Sequence, residues 1–308
     1  MKYLVIGAGG TGGCIGGYMS KAGKDVTLIA RGKHLEAMNQ NGLSFETPNG
    51  EFNTPVKACT MDEYSETPDV IFVCVKGYSI DDCIPFINRV AGDDTVVIPI
   101  LNIYGTGKRL QERLAAEQGW NGLVTDGCIY VASQIKEPGV ILMSGMIFRV
   151  VFGLRKDTKS ETVEKYMPVL KAVEADLKES MITPILSEKI EKDALQKFSF
   201  VSPMAASGAF YDLPAKDFQV QGKYRDMFIK LINEVKELSD AMDVSLPENI
   251  VDINLKILDD LAPTSTASMH RDIRAGKDSE FDGLVLEVIR LGKQYGVPTP
   301  AYEEMSKR

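Results

Sequence analysis

The sequence predicts an α/β domain with a doubly wound parallel sheet, followed by an all-α domain. A glycine-rich turn stands between a short apolar run and a helical pattern near the start of the chain. Near-continuous apolar runs then alternate with helical stretches, as expected of parallel strands buried on both faces. From residue 188 onward the pattern is helical and punctuated by prolines. We therefore predict two domains, residues 1–184 and 185–308, since a chain of 308 residues exceeds the usual size of one core.

The glycine-rich turn predicts a nucleotide-binding βαβ unit. The apolar run Tyr3–Ile6 leads into Gly7-Ala8-Gly9-Gly10-Thr11-Gly12, and a helical pattern follows. Gly7 would allow the tight turn, Gly9 would let the backbone approach a pyrophosphate, and Gly12 would let helix and strand pack closely. The pyrophosphate would lie on the free N–H groups of the helix N-terminus. The arrangement predicts a Rossmann-like domain, with a structural turn as the alternative, and these cofactor-binding residues: Gly7, Gly9, Gly10, Thr11 and Gly12.

The end of the second predicted strand, Val26–Ala30, indicates which dinucleotide binds. NAD enzymes usually place an Asp or Glu there to accept the ribose 2′-hydroxyl. This chain has Arg31 and Lys33 instead, and its Asp25 lies at the start of the strand. Arg31 offers a fixed cation for a phosphate dianion. We therefore predict NADP or NADPH rather than NAD, and a solvated basic turn is the alternative.

Two more charged or polar residues follow strand-like runs. Lys76 ends the apolar run Asp69–Lys76, and Asn102 follows the run Thr95–Leu101. Ligands of doubly wound sheets bind beyond the carboxyl ends of the strands. Lys76 and Asn102 are therefore predicted to converge with the glycine turn and Arg31 on one crevice. Solvated strand ends and turn hydrogen bonds are the alternatives.

The rest of the chain fits the two-domain prediction. A hairpin or irregular excursion is predicted over Leu43–Val56, further strands over Leu123–Gly153, and a boundary at Thr183-Pro184. Helices are predicted over Ser79–Val90, Ser160–Lys178, Glu188–Phe210, Asp217–Met242, Glu248–Leu261 and Glu280–Tyr295. The two domains are expected to pack with the crevice between them.

Composition excludes several classes of function. A formal charge of −8 argues against nucleic-acid and anionic-membrane partners. No apolar run is long enough to span a bilayer, and glycines interrupt the first apolar run, so no secretory signal is expected. The five cysteines are scattered without a C-x-x-C pair, which favours a reducing, cytoplasmic location. Cys14 and Cys74 are interpreted as buried small hydrophobes. With only two histidines, His34 and His270, no metal site is expected.

One segment of the second domain resembles the signature of the ketopantoate reductase family. It runs Ser268-Met269-His270-Arg271-Asp272-Ile273-Arg274-Ala275-Gly276-Lys277-Asp278-Ser279-Glu280-Phe281-Asp282. The resemblance covers nearly the full length. Other segments that match the family are the opening glycines, Ala30-Arg31-Gly32, Val75-Lys76, Leu101-Asn102 and Gly296-Val297-Pro298-Thr299-Pro300. The resemblance implies NADPH-dependent reduction of 2-dehydropantoate to pantoate, a step of pantothenate and coenzyme A biosynthesis.

The resemblance also implies roles for single residues. Arg31 and Lys76 would contact NADPH, and Asn102 would lie where nicotinamide and substrate meet. Ser268 and Glu280 would bind the substrate. Ser268 would contact the carboxylate of the substrate.

The catalytic lysine implied by the resemblance begins a long helix of the second domain. Lys197 fits that position best, and Lys192 and Lys189 are the alternatives. In the mechanism we predict, Lys197 hydrogen-bonds the carbonyl oxygen of a 2-keto acid and supplies the proton, because negative charge develops on that oxygen. Glu280 would orient a substrate hydroxyl or Lys197 itself. The alternatives are a solvated helix lysine and a helix-capping glutamate.

Departures from the family leave the substrate open. Family members acting on ketopantoate commonly have asparagines four and eight residues after the lysine, where this chain has Val201 and Ala205. It also has Asn102-Ile103 where the family often has Asn-Gly. These residues favour a related reductase that acts on another 2-keto acid or an imine. A non-catalytic NADP-binding regulator is a further alternative. The helical domain could support a homodimer, although no sequence feature demands one.

Overall fold

The computed structural model describes residues 1–308, with Gln118 described by its backbone alone. The chain divides into two compact units. The first comprises Met1–Leu101 and Gly105–Ile190, and the second comprises Asn102–Tyr104 and Glu191–Arg308. The division at Ile190 lies beyond the predicted boundary after Pro184.

The first unit is the predicted α/β domain. Its strands are β1 (Lys2–Ile6), β2 (Asp25–Ile29), β3 (Leu43–Thr47), β4 (Gly50–Thr54), β5 (Lys57–Cys59), β6 (Val70–Val73), β7 (Val96–Pro99), β8 (Leu123–Val124), β9 (Asp126–Glu137), β10 (Val140–Gly153) and β11 (Thr183–Ser187). Its helices are α1 (Gly10–Lys21), α2 (Gly32–Asn41), α3 (Ile80–Val90), α4 (Thr106–Gln118) and α5 (Ser160–Glu179), with a 3₁₀ turn at Gly77–Ser79.

A six-stranded parallel sheet carries the predicted cofactor residues. Its strand order is β5-β2-β1-β6-β7-β8, so the chain builds outward from β1 in one direction and then in the other. Alternate residues of β1 and β6 enter different apolar clusters. Tyr3 and Phe72 pack in one cluster, and Leu4 and Ile71 pack in another. The sheet is therefore buried on both faces, and the prediction of a doubly wound, Rossmann-like sheet is confirmed.

A second sheet completes this unit. Its order is β11-β10-β3-β4, and β9 pairs antiparallel with β10. β3 and β4 form an antiparallel hairpin, which confirms the prediction for Leu43–Val56. The predicted boundary at Thr183-Pro184 falls inside β11, which pairs parallel with β10. Pro184 is accommodated because β11 is an edge strand, where a missing N–H is tolerated.

The second unit is helical, as predicted. Its helices are α6 (Ile190–Tyr211, of which Ile190 falls in the first unit), α7 (Ala215–Gln219), α8 (Lys223–Ala241), α9 (Ile250–Asp259), α10 (Ser268–Arg274), α11 (Glu287–Tyr295) and α12 (Pro300–Met305). A π-helical turn, Asp282–Leu286, precedes α11. The predicted helix Asp217–Met242 is divided into α7 and α8, because Gly222 has φ +137°, which a helix does not allow.

Buried side chains of several helices form the apolar core of this unit, among them Phe198, Leu231, Leu258 and Tyr302. No helix in the described part of the chain combines the length and apolarity needed to cross a membrane.

Candidate active site

The predicted cofactor turn lies at the carboxyl ends of three neighbouring parallel strands. Gly7 follows β1 directly and has φ +96°, a conformation that other residues rarely adopt. The N–H groups of Gly7 and Ala8 donate to the carbonyl oxygen of Ile29, at the end of β2, over 3.3 and 3.0 Å. The N–H of Cys74, just after β6, donates to the carbonyl oxygen of Ile6 over 2.8 Å. The turn is therefore held at the sheet edge where such folds bind ligands.

The turn is open at Gly9 and closely packed at Gly12. Gly9 is the N-cap of α1, and a methyl group built on it would meet no heavy atom within 4 Å. Because Gly9 has no side chain, no side-chain cap occupies the first N–H groups of α1, at Gly10 and Thr11. A methyl group on Gly12 would overlap the carbonyl oxygen of Gly7. The turn thus combines open space at Gly9 with close helix–strand packing at Gly12, as the motif predicts.

Cations follow the second and fourth strands of the parallel sheet. Arg31 is the N-cap of α2, and both Arg31 and Lys33 are exposed. Asp25 lies at the opposite end of β2, where its Oδ1 accepts a hydrogen bond from Lys57 Nζ over 2.7 Å. Lys76 follows β6 and is half-buried. The guanidinium of Arg31 and the ammonium of Lys33 therefore lie near the carboxyl end of β2, where the sequence predicts cations for a phosphate.

His34 connects this basic helix start to the second sheet. Its Nδ1 accepts a hydrogen bond from the N–H of Gly139, in the turn between β9 and β10, over 3.0 Å. An imidazole that accepts at Nδ1 is neutral and carries its proton on Nε2. Burial lowers the pKa of His34 from 6.5, while the backbone of Ala8 acts in the opposite direction. The neutral ring thus helps to fix α2, which presents Arg31.

Acidification is expected to destabilise the first unit through His34. Its folded-state pKa is lowered, so the unfolded chain takes up the proton first as the pH falls. The stabilising contribution is complete above about pH 6.5 and is lost as the pH falls toward the lower folded value. We expect His34→Gln, which does not titrate, to flatten the pH dependence of the unfolding free energy between about pH 8 and about pH 5.5. Urea denaturation at several pH values measures the unfolding free energy. If this free energy changed with pH to the same extent in the variant and the wild type, His34 would not have this role.

Two thiols near the glycine turn, those of fully buried Cys14 and half-buried Cys74, are not nucleophiles. Cys14 is fully buried in α1, and burial raises its pKa to about 12 against a smaller opposite effect of Ser133. Burial likewise raises the pKa of Cys74. Both thiols stay protonated at neutral pH, in agreement with their interpretation as small hydrophobes.

In the second unit, Lys197 meets Asn102. Lys197 lies on α6, and its Nζ donates to Asn102 Oδ1 over 2.6 Å. Both side chains are half-buried. Lys192 is also half-buried on α6, whereas Lys189 precedes the helix and is exposed. The contact with Asn102 therefore favours Lys197 among the three candidate lysines.

The short segment around Asn102 is anchored in this unit by its next two residues. Tyr104 and Phe198 have ring centroids 6.2 Å apart. Ile103 covers Gly283 so closely that a methyl group on Gly283 would overlap the Ile103 side chain. Asn102 is thus fixed between the segment that carries Lys197 and the π-helical turn Asp282–Leu286.

Glu280 lies two residues before the π-helical turn and is 4% exposed. The Leu284 N–H donates to the carbonyl oxygen of Glu280 over 2.9 Å, and Ser202 Oγ of α6 donates to the carbonyl oxygen of Leu284 over 2.6 Å. π-Helical turns are frequent at functional sites because they re-aim side chains. Lys197, Asn102 and the turn that follows Glu280 therefore belong to one packed region. Ser268 begins α10 and is half-buried.

Sequence reasoning missed the π-helical turn and the anchoring role of Ile103 and Tyr104. The hydrogen-bond pattern of a π-helix has no clear sequence period, and the contacts of Ile103 join residues far apart in the chain. Gly283, within an otherwise helical pattern, was the available signal, because such glycines often mark a close approach.

Two family models match the chain. The model described as "Ketopantoate reductase PanE/ApbA" matches residues 3–157, and the model described as "Ketopantoate reductase PanE/ApbA C terminal" matches residues 189–307. Together they span both units.

Individual relatives that match along most of their length are oxidoreductases. An uncharacterized oxidoreductase, YkpB, of Bacillus subtilis (strain 168) is 27% identical over 307 residues, which cover 98% of this chain and 96% of that protein. A 2-dehydropantoate 2-reductase of Pyrococcus horikoshii is 27% identical over 301 residues, which cover 97% of this chain and 93% of that protein. A solved D-mandelate dehydrogenase with NADH and anilino(oxo)acetate has a TM-score of 0.87 at 20% identity. The superposition covers 100% of this chain and 96% of the dehydrogenase chain. At that identity the solved structure shows that the fold is shared.

Proposed function

Because the chain belongs to the ketopantoate reductase family and is an oxidoreductase acting on CH–OH donors, we propose that it reduces 2-dehydropantoate to pantoate with NADPH. The observation that carries the proposal is the contact between Lys197 and Asn102, which holds a primary ammonium group in the unit that would bind the keto acid. Family membership indicates a nicotinamide cofactor, and the preference for NADPH is part of the proposal.

The glycine turn and its flanking cations would hold the cofactor. The N–H groups at the start of α1 would bind the pyrophosphate, and Arg31 would bind the 2′-phosphate. Lys76 would contact the cofactor from the end of β6. When bound, reduced nicotinamide supplies a hydride for the keto carbon.

Lys197 would act on the oxygen of the keto group. Negative charge grows on that oxygen as the carbonyl is reduced, and a nearby ammonium stabilises it and delivers the proton. Asn102 Oδ1 accepts a hydrogen bond from Nζ, which restricts the rotation of the ammonium and directs its other N–H bonds. Ser268 would bind the substrate carboxylate, and Glu280 would accept a hydrogen bond from a substrate hydroxyl.

The wall of α6 beside Lys197 favours a second candidate substrate class. Val201 and Ala205 follow Lys197 by one and two helical turns, and neither can hydrogen-bond a hydroxyl. Val201 is half-buried, and Ala205 is fully buried. A 2-keto acid with an apolar branched side chain would meet Val201 without an unpaired polar group, whereas fully buried Ala205 offers the substrate no surface.

A matched pair of substrates tests both candidates. The decrease in NADPH absorbance is followed with 2-dehydropantoate and with 2-oxo-3-methylbutanoate, which has a hydrogen in place of the hydroxymethyl group. A higher kcat/KM for 2-dehydropantoate supports the proposal, and the reverse order supports the apolar class. NADPH binding in calorimetry without turnover of any 2-keto acid or imine would favour the non-catalytic regulator and overturn the proposed activity.

Arg31→Ala is expected to weaken the preference for NADPH over NADH. The guanidinium of Arg31 would pair with the 2′-phosphate that NADH lacks, and losing one charge-assisted contact of this kind costs roughly tenfold or more in affinity. Calorimetric dissociation constants for both cofactors measure the effect. Lys33→Ala removes a neighbouring exposed cation and is the control. It should change the ratio of the NADPH and NADH dissociation constants less than Arg31→Ala does. An unchanged NADPH-to-NADH ratio in Arg31→Ala would remove the phosphate role.

The proposal also includes a cytoplasmic location and a homodimer. Free thiols at Cys14, Cys59, Cys74, Cys83 and Cys128 support the predicted cytoplasmic location. The homodimer stays a prediction that the molar mass in solution would test.

A further inference from the structure

A charged cluster lies where α6 ends. Asp212 follows α6 with φ +58°, in the left-handed region that Asp tolerates better than most residues. Its Oδ1 contacts His270 Nε2 over 2.7 Å and accepts a hydrogen bond from Arg274 Nε. Its carbonyl oxygen accepts from Arg274 Nη2 over 2.9 Å. Asp212 thus holds two side chains of α10 at the end of α6.

Asp212 is the negatively charged member of this cluster. Its hydrogen bonds with Arg274 and His270 lower the pKa of Asp212 to about 2, so the carboxylate is ionised at neutral pH. An ionised carboxylate only accepts, and His270 therefore donates through Nε2. The other ring nitrogen, Nδ1, is buried without a hydrogen-bond partner.

The unpaired ring nitrogen of His270 costs free energy, so the bond of the other nitrogen to Asp212 is the polar contact that the ring contributes. Leaving a buried polar atom unpaired is costly, and an apolar side chain could fill the same place without that cost. His270 is fully buried, and its Nδ1 is 3.5 Å from the position a methyl group on Gly208 would take. The ring is therefore in a place where only its bond to Asp212 distinguishes it from a hydrophobe.

The cluster and one proposed substrate residue share a short helix, since Ser268, His270 and Arg274 all lie on α10. His270 and Arg274 are four residues apart and share one face of α10, whereas Ser268 lies roughly 160° away around the helix axis. On α6, Lys197 and Gly208 are eleven residues apart, which places them within about 20° of the same face. The ring of His270 therefore packs on α6 at Gly208, about 16 Å along the helix axis from Lys197, and Asp212 acts on Ser268 through the orientation of α10 as a whole.

A backbone contact strengthens the same connection. The N–H of Ala215 donates to the carbonyl oxygen of Ser265 over 2.9 Å, just before α10. The chain that leaves α6 thus holds α10 through its own backbone at one end and through Asp212 along one face.

We propose that Asp212 is a positioning residue that orients α10 through His270 and Arg274, so that Ser268 is presented to the carboxylate of the 2-keto acid. The inference rests on the proposed function, since it assigns the support of its carboxylate-binding residue. Losing Asp212 leaves the chemistry of Lys197 intact but loosens the contact of Ser268 with the substrate. The KM for the keto acid therefore rises while the affinity for NADPH does not change.

Two substitutions separate the effect of the Asp212 carboxylate from the effect of its left-handed backbone conformation. Asp212→Gly keeps the left-handed conformation and removes both side-chain contacts, and we expect the KM for the 2-keto acid to rise about tenfold. Asp212→Asn keeps a carbonyl oxygen for His270 and is expected to recover most of that loss. The NADPH dissociation constant stays within about twofold in both variants. Asp243→Gly is the matched control, because exposed Asp243 has the same left-handed conformation, φ +55°, after a different helix, α8.

Hydrogen exchange gives a second readout that does not depend on turnover. Amides of α10 are expected to exchange faster in Asp212→Gly than in the wild type, while those around Lys197 keep their rates. Unchanged KM and unchanged α10 exchange in Asp212→Gly overturn the inference while leaving the proposed function intact. Equal loss of NADPH binding, kcat and thermal stability overturns it too, because that pattern is a general structural defect. A wild-type protein that reduces no 2-keto acid overturns the proposed function, and the inference falls with it.

Discussion

Replacing Lys197 with alanine is expected to lower kcat by about 100- to 10,000-fold, the contribution typical of a positioned acid. The methyl group of alanine can neither stabilise the growing negative charge on the keto oxygen nor supply its proton. The residues proposed to hold NADPH lie in the other unit, so the NADPH dissociation constant is expected to change by less than about twofold. Steady-state kinetics with 2-dehydropantoate and calorimetry with NADPH measure the two quantities.

A second lysine of the same helix provides the control. Lys192 lies five residues before Lys197, so the two side chains point about 140° apart around α6. Lys192→Ala is therefore expected to keep kcat within about threefold of the wild type. Wild-type turnover by Lys197→Ala would remove its assignment, and a large loss in Lys192→Ala alone would transfer the role to that lysine.

The parts of the fold that were predictable from sequence are those fixed by local patterns. In the unit β1–α1–β2 the strand ends are predicted to within one residue, because an apolar run, a glycine turn and a helical period follow one another without interruption. The hairpin of β3 and β4 is likewise local. β11 is different, since Thr183–Ser187 becomes a strand only by pairing with β10, about thirty residues earlier in the chain.

The candidate site divides in the same way. The glycine turn and Arg31 could be chosen from spacing and charge, because each comes within two residues of the end of its own strand. Lys197 could be chosen only through the family resemblance, because a helix lysine is usually solvated. Its contact with Asn102 joins residues 95 positions apart, which no periodicity reveals. The cluster of Asp212, His270 and Arg274 escaped prediction for the same reason.

Gly12→Ala is expected to destabilise the first unit by about 3 kcal/mol or more, because overpacking against fixed backbone cannot be relieved by a rotamer change. Its methyl group would overlap the carbonyl oxygen of Gly7 and lie 2.9 Å from Cys74 Cβ. Either α1 must move away from β1 or the glycine turn must change shape. Both responses disturb the N–H groups proposed to bind the pyrophosphate, so NADPH affinity falls together with stability. Urea denaturation and calorimetry on the same variant test whether both fall.

Gly9→Ala separates the cofactor role from the packing role. Gly9 has φ −73° and ψ −162°, which alanine adopts without strain, and its methyl group would meet no heavy atom within 4 Å. The unfolding free energy is therefore expected to change by less than about 0.5 kcal/mol. The same methyl group would occupy the space through which the pyrophosphate approaches the turn, so the NADPH dissociation constant is expected to rise about tenfold or more. Gly145→Ala, whose methyl group would lie 3.6 Å from Ala132 Cβ, is the control and should leave both quantities unchanged. If Gly9→Ala bound NADPH as tightly as the wild type, the pyrophosphate could not lie against this turn.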